Sequence, residues 1–394
     1  MHLKIRQHLD EYVCMYDCVI VGAGPAGATA AYHLAKRGRS VLLLEKQPLP
    51  RYKPCGGGVS PQIAEWFDFS FEPVISQKVT SIRYTHKLKD TVDADLPHGT
   101  EAIWMVRRDA FDHYLVKQSQ QQGAMLKDAT KVTDIEFKSD HWQVETSAGQ
   151  MSGPIQGKYL IAADGARGPI AKWLGFRQRE FTIGGALEVE PRLPVSNGHI
   201  AYFEFGLVKN GYVWNFPKAD GYSIGSGMFG RTHRKGGDLI QPMVEYAAQF
   251  EVELDSTEQH GHPLCLWKDD QQLHTQNALL AGEAACVVDP FTAEGIRPSI
   301  FSGMKAAIAI DQALGGDAQA LPNYTQVMAD ELGSEMRWAQ RIASIFYKAP
   351  GLSYRICMKN PRGTAQMARV FAGELRYADV AQRAMRRLTG GLMA

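Results

Sequence analysis

Two runs of apolar residues near the start of the chain flank a stretch with helical periodicity. The runs YDCVIV (16–21) and SVLLLEK (40–46) lack the alternation of a half-exposed strand and predict buried strands of a parallel sheet. The helical pattern between them extends to about Arg37, and Gly38 is suited to end it. Together they predict a strand–helix–strand unit.

Two later segments repeat the buried run followed by a turn. The segment YLIAADGARG (159–168) predicts a strand that ends near Asp164, and 277–303 predicts a strand, a loop and a helix start rich in glycine. The segment RRDAFDHYLV (107–116) predicts an amphipathic helix with Arg108 just ahead of it. An acid at the carboxyl end of a parallel strand lies where such folds bind ligands.

Residues 200–227 follow a different pattern and predict three consecutive antiparallel strands, HIAYFEF, YVWNFPK and YSIGSGMF. Pro217 is expected to close the second strand, and 219–221 to form the hairpin turn. Three aromatic residues of that strand occupy alternate positions and share one face: Tyr212, Trp214 and Phe216. They could line an apolar tunnel or belong to an ordinary core, and spacing alone favours the core.

The first strand–helix turn carries the chemistry of a dinucleotide site. In GAGPAG, Gly22 allows a tight turn, Gly24 allows the backbone to approach a pyrophosphate, and Gly27 allows close helix–strand packing. The helix N-terminus would face the phosphates. Glu45 ends the second strand, where its carboxylate can accept a hydrogen bond from a ribose hydroxyl. A free carboxylate disfavours a 2′-phosphate, so FAD or NAD is expected rather than NADP. A single motif at the start of a long chain favours FAD.

Composition and charge limit the partners, the compartment and the metals that are expected. The chain has 394 residues, 45% hydrophobic and 22% charged, with a net charge of +1, which gives no electrostatic case for nucleic acid. Its six scattered cysteines are not a disulfide framework and favour a reducing, cytoplasmic compartment. Cys14 and Cys18 lack a second ligand pair of zinc-like spacing, so no metal is expected. Residues 18–35 are uncharged, but their glycines fit a strand–turn–helix better than a membrane span. Translation could start at Met1 or at Met15.

These features together resemble the geranylgeranyl reductase family, within the glutathione-reductase-like flavoproteins of the hydroxylase type. The resemblance runs from about residue 15 to 390, and its specific marks are YKPCGGG (52–58), YVWNFPK (212–218), DPFTAEGI (289–296) and GELRYADV (373–380). It implies an α/β fold: a Rossmann-like FAD-binding domain, an inserted antiparallel-sheet substrate domain and a C-terminal helical tail. The expected boundaries are 15–75, 105–180 and 275–345 for the FAD domain, 76–104 and 181–274 for the substrate domain, and 346–394 for the tail.

The resemblance also implies roles for individual residues. Those expected to bind the cofactor are Gly22, Gly24, Ala26, Gly27, Glu45, Lys46, Arg108, Val132, Asp164, Glu283, Gly295 and Ile296. Among them, Val132 would lie near the adenine through its backbone, and Gly295 and Ile296 would present N–H groups to the flavin ring. The sequence departs from the family at Glu283, where an aspartate is usual, so the geometry there differs by a methylene.

The reaction implied is reduction of isolated double bonds in a prenyl chain. The chain could be attached to a diphosphate, a chlorophyll or tocopherol precursor, a quinone or an ether lipid, with NADPH or ferredoxin as electron donor. An alkene without a carbonyl needs a proton as well as a hydride. The expected catalytic residues are Tyr52, Cys55 and Gly56, and the expected substrate residues are Tyr212, Trp214 and Phe216. Cys55 is either the proton donor or a small cavity-lining residue, and the glycines after it would bring the main chain close to the ring.

Three other functions are compatible with the same fold. A flavin monooxygenase shares the cofactor, although aromatic hydroxylases usually carry Ala-His where Ala285 and Cys286 stand. A flavin halogenase has a W-x-W-x-I-P motif that resembles YVWNFP, but its further glycine-rich signature is missing. A non-catalytic flavin-binding protein is the third.

The last segment of the chain is strongly basic. Residues 341–394 carry ten basic and two acidic side chains, a net charge of +8, with apolar residues between them. This pattern predicts either peripheral contact with an anionic membrane or a solvated face paired with acids of the main body.

Overall fold

The computed structural model describes residues 15–147, 154–176, 179–230, 239–254 and 257–388. Its strands in chain order are β1 (Met15–Val21), β2 (Val41–Leu44), β3 (Gly58–Val59), β4 (Gln77–Val79), β5 (Ser81–His86), β6 (Lys89–Asp95), β7 (Ile103–Met105), β8 (Met125–Lys127), β9 (Val132–Lys138), β10 (His141–Thr146), β11 (Ile155–Ala162), β12 (Phe181–Val189), β13 (Ile200–Phe205), β14 (Gly211–Lys218), β15 (Gly221–Phe229), β16 (His260–Trp267), β17 (His274–Thr275) and β18 (Ala278–Leu280). Its helices are α1 (Pro25–Lys36), α2 (Arg108–Gln121), α3 (Ile170–Trp173), α4 (Ile240–Ala247), α5 (Ile296–Leu314), α6 (Ala320–Val327), α7 (Ser334–Phe346), α8 (Pro350–Ser353), α9 (Pro361–Ala372) and α10 (Tyr377–Leu388).

The first sheet has a parallel centre in the order β18-β11-β1-β2-β8, with β17 antiparallel at one edge. β9 and β10 form a hairpin that joins it through β11. Strands β2 and β18 are fully buried, and β1 and β11 are buried at their carboxyl ends, as the apolar runs in their sequences predict. Helix α1 follows β1 directly and is buried along almost its whole length, between α2 and α5. Its contact with α5 requires Gly303, where a side chain would overlap the carbonyl oxygen of Ala26.

The second sheet has the order β16-β12-β15-β14-β13-β5-β6. Its pairs are antiparallel, as predicted, except that β13 and β5 are parallel. The prediction that Pro217 ends its strand is wrong: β14 continues to Lys218, and Pro217 lies opposite Tyr222. The hairpin turn is therefore Ala219 and Asp220, and Gly221 already belongs to β15.

The C-terminal helices pack against one face of the second sheet. Phe346 and Val370 are buried there with Phe203 and Phe205 of β13. The hydroxyl of Tyr377 donates to Asp289 at 2.8 Å, which connects two of the motifs noticed in the sequence, GELRYADV and DPFTAEGI. The mixed α/β architecture with C-terminal helices is confirmed, and the exact domain boundaries stay predictions. Of the helices in the described ranges, none has the length and apolar character needed to cross a membrane.

Candidate active site

A large cavity lies between the carboxyl edge of the parallel sheet and the aromatic face of the second sheet. The structure brings eleven of the predicted site residues to its wall: Gly24, Ala26, Cys55, Gly56, Arg108, Tyr212, Trp214, Phe216, Glu283, Gly295 and Ile296. They come from segments separated by more than 200 positions, and the ends of the strands collect them at one place.

The remaining predicted residues are not among those that line the cavity. They are Gly22, Gly27, Glu45, Lys46, Tyr52, Val132 and Asp164. Lys46 is exposed, whereas Val132 is buried in β9. Thr130 lies in the segment that joins β8 to β9. Its N–H donates a hydrogen bond to the carbonyl oxygen of Glu45 at 2.8 Å. The roles of Val132 and Lys46 at the adenosine end therefore stay predictions.

The three motif glycines meet different requirements. A side chain at Gly22 would overlap the carbonyl oxygen of Ala163, and one at Gly27 would overlap the carbonyl oxygen of Gly22. A Cβ at Gly24 would meet only an Arg51 nitrogen, at 3.8 Å. Gly22 and Gly27 are therefore needed for packing, and the space in front of Gly24 is open for a ligand at the start of α1.

A buried chain of charges borders this space. The Glu45 carboxylate accepts the Ala23 N–H at 3.0 Å and pairs with the Arg51 guanidinium at 3.2 Å. Arg51 also pairs with Asp112, which holds Arg108 through a second ion pair. Burial alone would lower the pKa of Arg108, but the nearby Asp112 and Cys55 outweigh it and raise the pKa above its ordinary value. Arg51, which sequence reasoning missed, thus joins the predicted residues as a fixed positive charge facing Gly24.

Asp164 has the properties of a ligand-binding residue at the start of α1. Its Oδ2 accepts the Ile170 N–H at 3.0 Å, while its Oδ1 is buried without a hydrogen-bond partner. Burial raises the pKa of this carboxyl group. A buried oxygen with no partner costs free energy unless a ligand or water contacts it. The open glycine turn, the helix start and this oxygen fit the phosphate–ribose portion of FAD.

The glycine run after Cys55 has a packing explanation. A Cβ on Gly56 would approach Phe216 to 2.8 Å. Gly57 has φ +67°, and a side chain there would overlap the carbonyl oxygen of Val106. Its N–H donates to the Cys55 sulphur at 3.4 Å. The glycines let the loop lie directly against the aromatic strand and leave the thiol at the cavity.

Two buried charged residues of the second sheet fix this loop, and sequence reasoning missed both. Lys218 donates its ammonium protons to the carbonyl oxygens of Gly56 at 2.6 Å and Val106 at 2.9 Å, and burial lowers its pKa to about 8. Glu188 accepts the N–H of Cys55 and the hydroxyl of Tyr52, both at 2.7 Å. Lys218 is the last residue of the YVWNFPK motif. The motif can be recognised in the sequence, but the hydrogen bonds of Lys218 to the loop cannot. Nothing in the sequence around Glu188 distinguishes it from a solvated acid.

A second polar group on the cavity wall combines Lys53, His262 and Glu283. The Lys53 ammonium lies 3.0 Å from His262 Nε2, which lies 3.1 Å from the Glu283 carboxylate. Burial lowers the pKa of His262 and of Lys53, whereas the pKa of Glu283 is lowered by these neighbours although burial opposes it. The group combines N–H donors with the negative charge of Glu283. Glu283 is the residue that the sequence predicts to contact the cofactor.

Most of the remaining wall is apolar. The side chains of Tyr212, Trp214 and Phe216 face it together, as their spacing predicts. A smaller apolar cavity lies behind, and the two share the residues Phe203, Tyr212, Thr292 and Phe371. The rings of Phe203 and Phe371 stack at 5.8 Å at this junction. The two cavities are therefore adjacent, and the smaller one lies toward the C-terminal helices, against Tyr347 and Met367.

Comparison with known proteins agrees with this geometry. Residues 15–210 match the family model described as FAD binding domain. An uncharacterized protein of Methanosarcina barkeri is 31% identical over 350 residues, covering 87% of each chain. The digeranylgeranylglycerophospholipid reductase of Methanocaldococcus jannaschii is 28% identical over 340 residues, covering 83% of each. A crystal structure from Thermoplasma acidophilum, described as geranylgeranyl bacteriochlorophyll reductase-like, superimposes with a TM-score of 0.77 over 96% of both chains at 20% identity, which supports the fold.

Proposed function

Because the chain belongs to the geranylgeranyl reductase family of FAD-dependent oxidoreductases, we propose that it saturates isolated double bonds of a geranylgeranyl or related prenyl chain. The observation that carries this proposal is the single cavity in which an open glycine cradle, a cysteine and an aromatic wall meet. A prenyl chain is apolar along its length, and the part of the wall formed by Phe203, Trp214 and Phe216 offers it an aromatic surface.

In this proposal the cradle residues hold FAD. Gly24 and the start of α1 would bind the pyrophosphate beside Arg51. Glu45 would bind the ribose. Gly295 is the N-cap of α5 and Ile296 is its first residue, and the first N–H groups of a helix lack partners within it and suit the ring. When bound and reduced, the flavin supplies a hydride. NADPH or ferredoxin is the proposed source of its electrons.

The proton is assigned to Cys55. Its sulphur accepts the Gly57 N–H at 3.4 Å, and the Arg108 guanidinium is close enough to interact with it electrostatically. The N–H and the positive charge would both stabilise the negative charge that remains on sulphur after the thiol proton moves to an alkene carbon. Lys218 and Glu188 keep the loop in place through its backbone. In this proposal Cys55 is the acid on the wall of the cavity.

Within this proposal, the part of the polar group beyond the predicted cofactor residue Glu283 favours a polar head group on the substrate. Lys53 and His262 suit a phosphate or a quinone oxygen, and the relative from M. jannaschii is named for a glycerophospholipid substrate. We propose a prenyl lipid or prenyl quinone.

The reaction is tested by expressing the protein in a host supplied with geranylgeranyl precursors. Mass spectrometry of lipid and pigment extracts should show products heavier by two hydrogens for each bond reduced. A Gly24→Val control should leave the extracts unchanged. Extracts identical to those of an empty-vector host would contradict the proposal, and oxygen consumption with halide or an aromatic compound would favour a halogenase or monooxygenase.

We also propose that the protein contacts an anionic membrane through its C-terminal segment. The structure narrows the surface that the sequence suggests, because Phe346 and Val370 are buried against the second sheet. Three large apolar side chains remain exposed: Ile345 (71%), Leu352 (60%) and Ile356 (61%). The basic residues Arg341, Lys348 and Arg355 are exposed on the same segment, while the side chains of Arg386 and Arg387 lie outside the described residues.

Exchange of Lys348 and Arg355 for glutamate is expected to weaken binding to anionic liposomes at least about tenfold, since each basic side chain near such a surface contributes roughly 1 kcal/mol. Binding of the unmodified protein should fall as salt rises. Ile356→Ser should also weaken it, whereas Ile183→Ser, at a site 51% exposed outside this segment, should not. Cosedimentation measures all four. Equal binding to neutral and anionic liposomes at every salt concentration would refute the electrostatic part.

A further inference from the structure

The turn between α9 and α10 has no part in the proposed function, although the motif GELRYADV (373–380) begins in it. Helix α9 ends at Ala372, Gly373 follows with φ +84°, and α10 begins at Tyr377. Phe371, directly before this turn, lies on the wall of the large cavity. We call residues 372–377 the C-terminal turn. It lies beside the candidate site, and two of its contacts lead into that site.

The first contact is with the loop that leads into α5. The hydroxyl of Tyr377 donates to Oδ2 of the buried Asp289 at 2.8 Å. Oδ1 of the same carboxylate accepts the N–H groups of Phe291 at 2.7 Å and Thr292 at 3.0 Å. The N–H of Tyr377 donates to Glu335 of α7 at 2.8 Å, which fixes the tyrosine at its backbone. The carboxylate of Asp289 therefore connects the C-terminal turn to the backbone of the loop that leads into α5.

The second contact is with the segment that follows the run of three glycines. The hydroxyl of the buried Ser60 donates to the carbonyl oxygen of Ala372 at 2.7 Å. A Cβ on Gly373 would lie 2.5 Å from the Ser60 hydroxyl and 2.7 Å from the side-chain oxygen of Gln62. That oxygen accepts a hydrogen bond at 3.1 Å from Arg297, in the first turn of α5. The backbone of the C-terminal turn thus packs against the segment behind the glycine run.

We propose that the C-terminal turn holds two loops of the active site in their relative positions, with Tyr377 and Gly373 as positioning residues. This inference rests on the proposed function, which assigns a proton to Cys55 on one loop and the flavin ring to Gly295 and Ile296 on the other. Neither positioning residue is among those that line the cavity. Tyr377 acts through the carboxylate that it contacts, and Gly373 acts by leaving room for the segment behind the glycine run.

Tyr377→Phe tests the first contact, because it removes the hydroxyl and keeps the ring. One oxygen of a buried carboxylate then loses its donor, so the dissociation constant for FAD should rise about tenfold. The N–H groups at a helix start favour negative charge, so reduced flavin should lose more affinity than oxidised flavin. The midpoint potential should then fall, by about 30 mV if that further loss is tenfold. Titration of the full-length apoprotein with FAD and a dye-coupled reductive titration measure the two effects.

Tyr354→Phe is the matched control for a lost tyrosine hydroxyl. The hydroxyl of the buried Tyr354 donates to the carbonyl oxygens of Tyr84 on β5 and Asp90 on β6. Both variants should lower the free energy of unfolding, but only Tyr377→Phe should change the affinity for FAD and the midpoint potential. An unchanged dissociation constant and an unchanged potential in Tyr377→Phe would overturn the inference.

Gly373→Ala tests the second contact in the FAD-bound protein. Its Cβ would displace Ser60, so the loop before it would be held less firmly and alkylation of Cys55 by iodoacetamide should become several-fold faster. Gly38→Ala is the matched control, because Gly38 follows α1 with φ +77° and a Cβ there meets open space. Peptide mass spectrometry measures the alkylation of Cys55 in both variants.

Equal alkylation rates in Gly373→Ala and Gly38→Ala would overturn the positioning role of the second contact. None of these measurements uses a prenyl substrate, so they separate the inference from the proposed reaction. A protein that binds FAD and shows these effects, but reduces no prenyl chain, would contradict the proposed function and leave the positioning roles standing.

Discussion

Purified Gly24→Val protein is expected to be folded and colourless, and the unmodified protein is expected to purify yellow with bound flavin. Gly24 has φ −79° and ψ −176°, a conformation open to any residue, and an added Cβ meets only Arg51 at ordinary contact distance. The branched side chain would instead occupy the space in front of α1 that the pyrophosphate requires. Flavin content should fall to background while the free energy of unfolding of the apoprotein changes by less than about 1 kcal/mol.

Gly27→Val is the matched control, because it places the same side chain three residues away where it overlaps the carbonyl oxygen of Gly22. That variant should lose folded structure as well as flavin. Flavin-to-protein ratio by absorbance and secondary structure by circular dichroism separate the two. A Gly24→Val protein that retains full flavin would show that the cofactor does not contact this turn.

Cys55→Ser is expected to bind FAD and accept electrons normally but to slow alkene reduction by about one to three orders of magnitude, the range of a lost general acid. A serine hydroxyl fills the same space and can accept the Gly57 N–H, but it is a much weaker acid than a thiol. Single-turnover reoxidation by substrate under anaerobic conditions measures this step. Equal rates in Cys55→Ser and the unmodified protein would leave Cys55 as a wall residue.

Cys265→Ser provides the control for cysteine loss. Cys265 is buried on β16 and is not among the residues on the cavity wall. Flavin reduction and alkene reduction should both keep their rates in this variant. The comparison attributes any loss in Cys55→Ser to its place in the cavity.

Local features of this fold could be predicted from the sequence because neighbouring residues determine them. The strand, glycine turn and helix of 16–36 lie where their pattern predicts, since each requirement is met within a few positions. The shared face of Tyr212, Trp214 and Phe216 follows from the two-residue repeat of a strand. Pro217 misled the prediction because proline often ends strands, but here its position in the antiparallel pair with Tyr222 accommodates it.

The residues that organise the site could not be predicted, because distant segments meet there. Glu188 contacts Cys55 across 133 positions, and Lys218 contacts Gly56 across 162. From sequence alone, a buried acid or lysine on a strand has the same neighbours as a solvated one, and only the tertiary fold gives it partners. The contacts of the basic tail could not be predicted for the same reason. Its composition predicts a surface segment, but the hydroxyl of Tyr377 donates to the buried Asp289.

Anaerobic reoxidation of the reduced protein shows whether this cavity reduces prenyl double bonds. The purified protein is reduced anaerobically and mixed with geranylgeranyl diphosphate, a prenyl lipid or a prenyl quinone, while flavin absorbance and product mass are followed together. Oxidised flavin should return in step with a product two hydrogens heavier, in the ratio of one flavin to one bond. Flavin that stays reduced with every prenyl substrate, and is reoxidised only by oxygen, would contradict the proposed reaction.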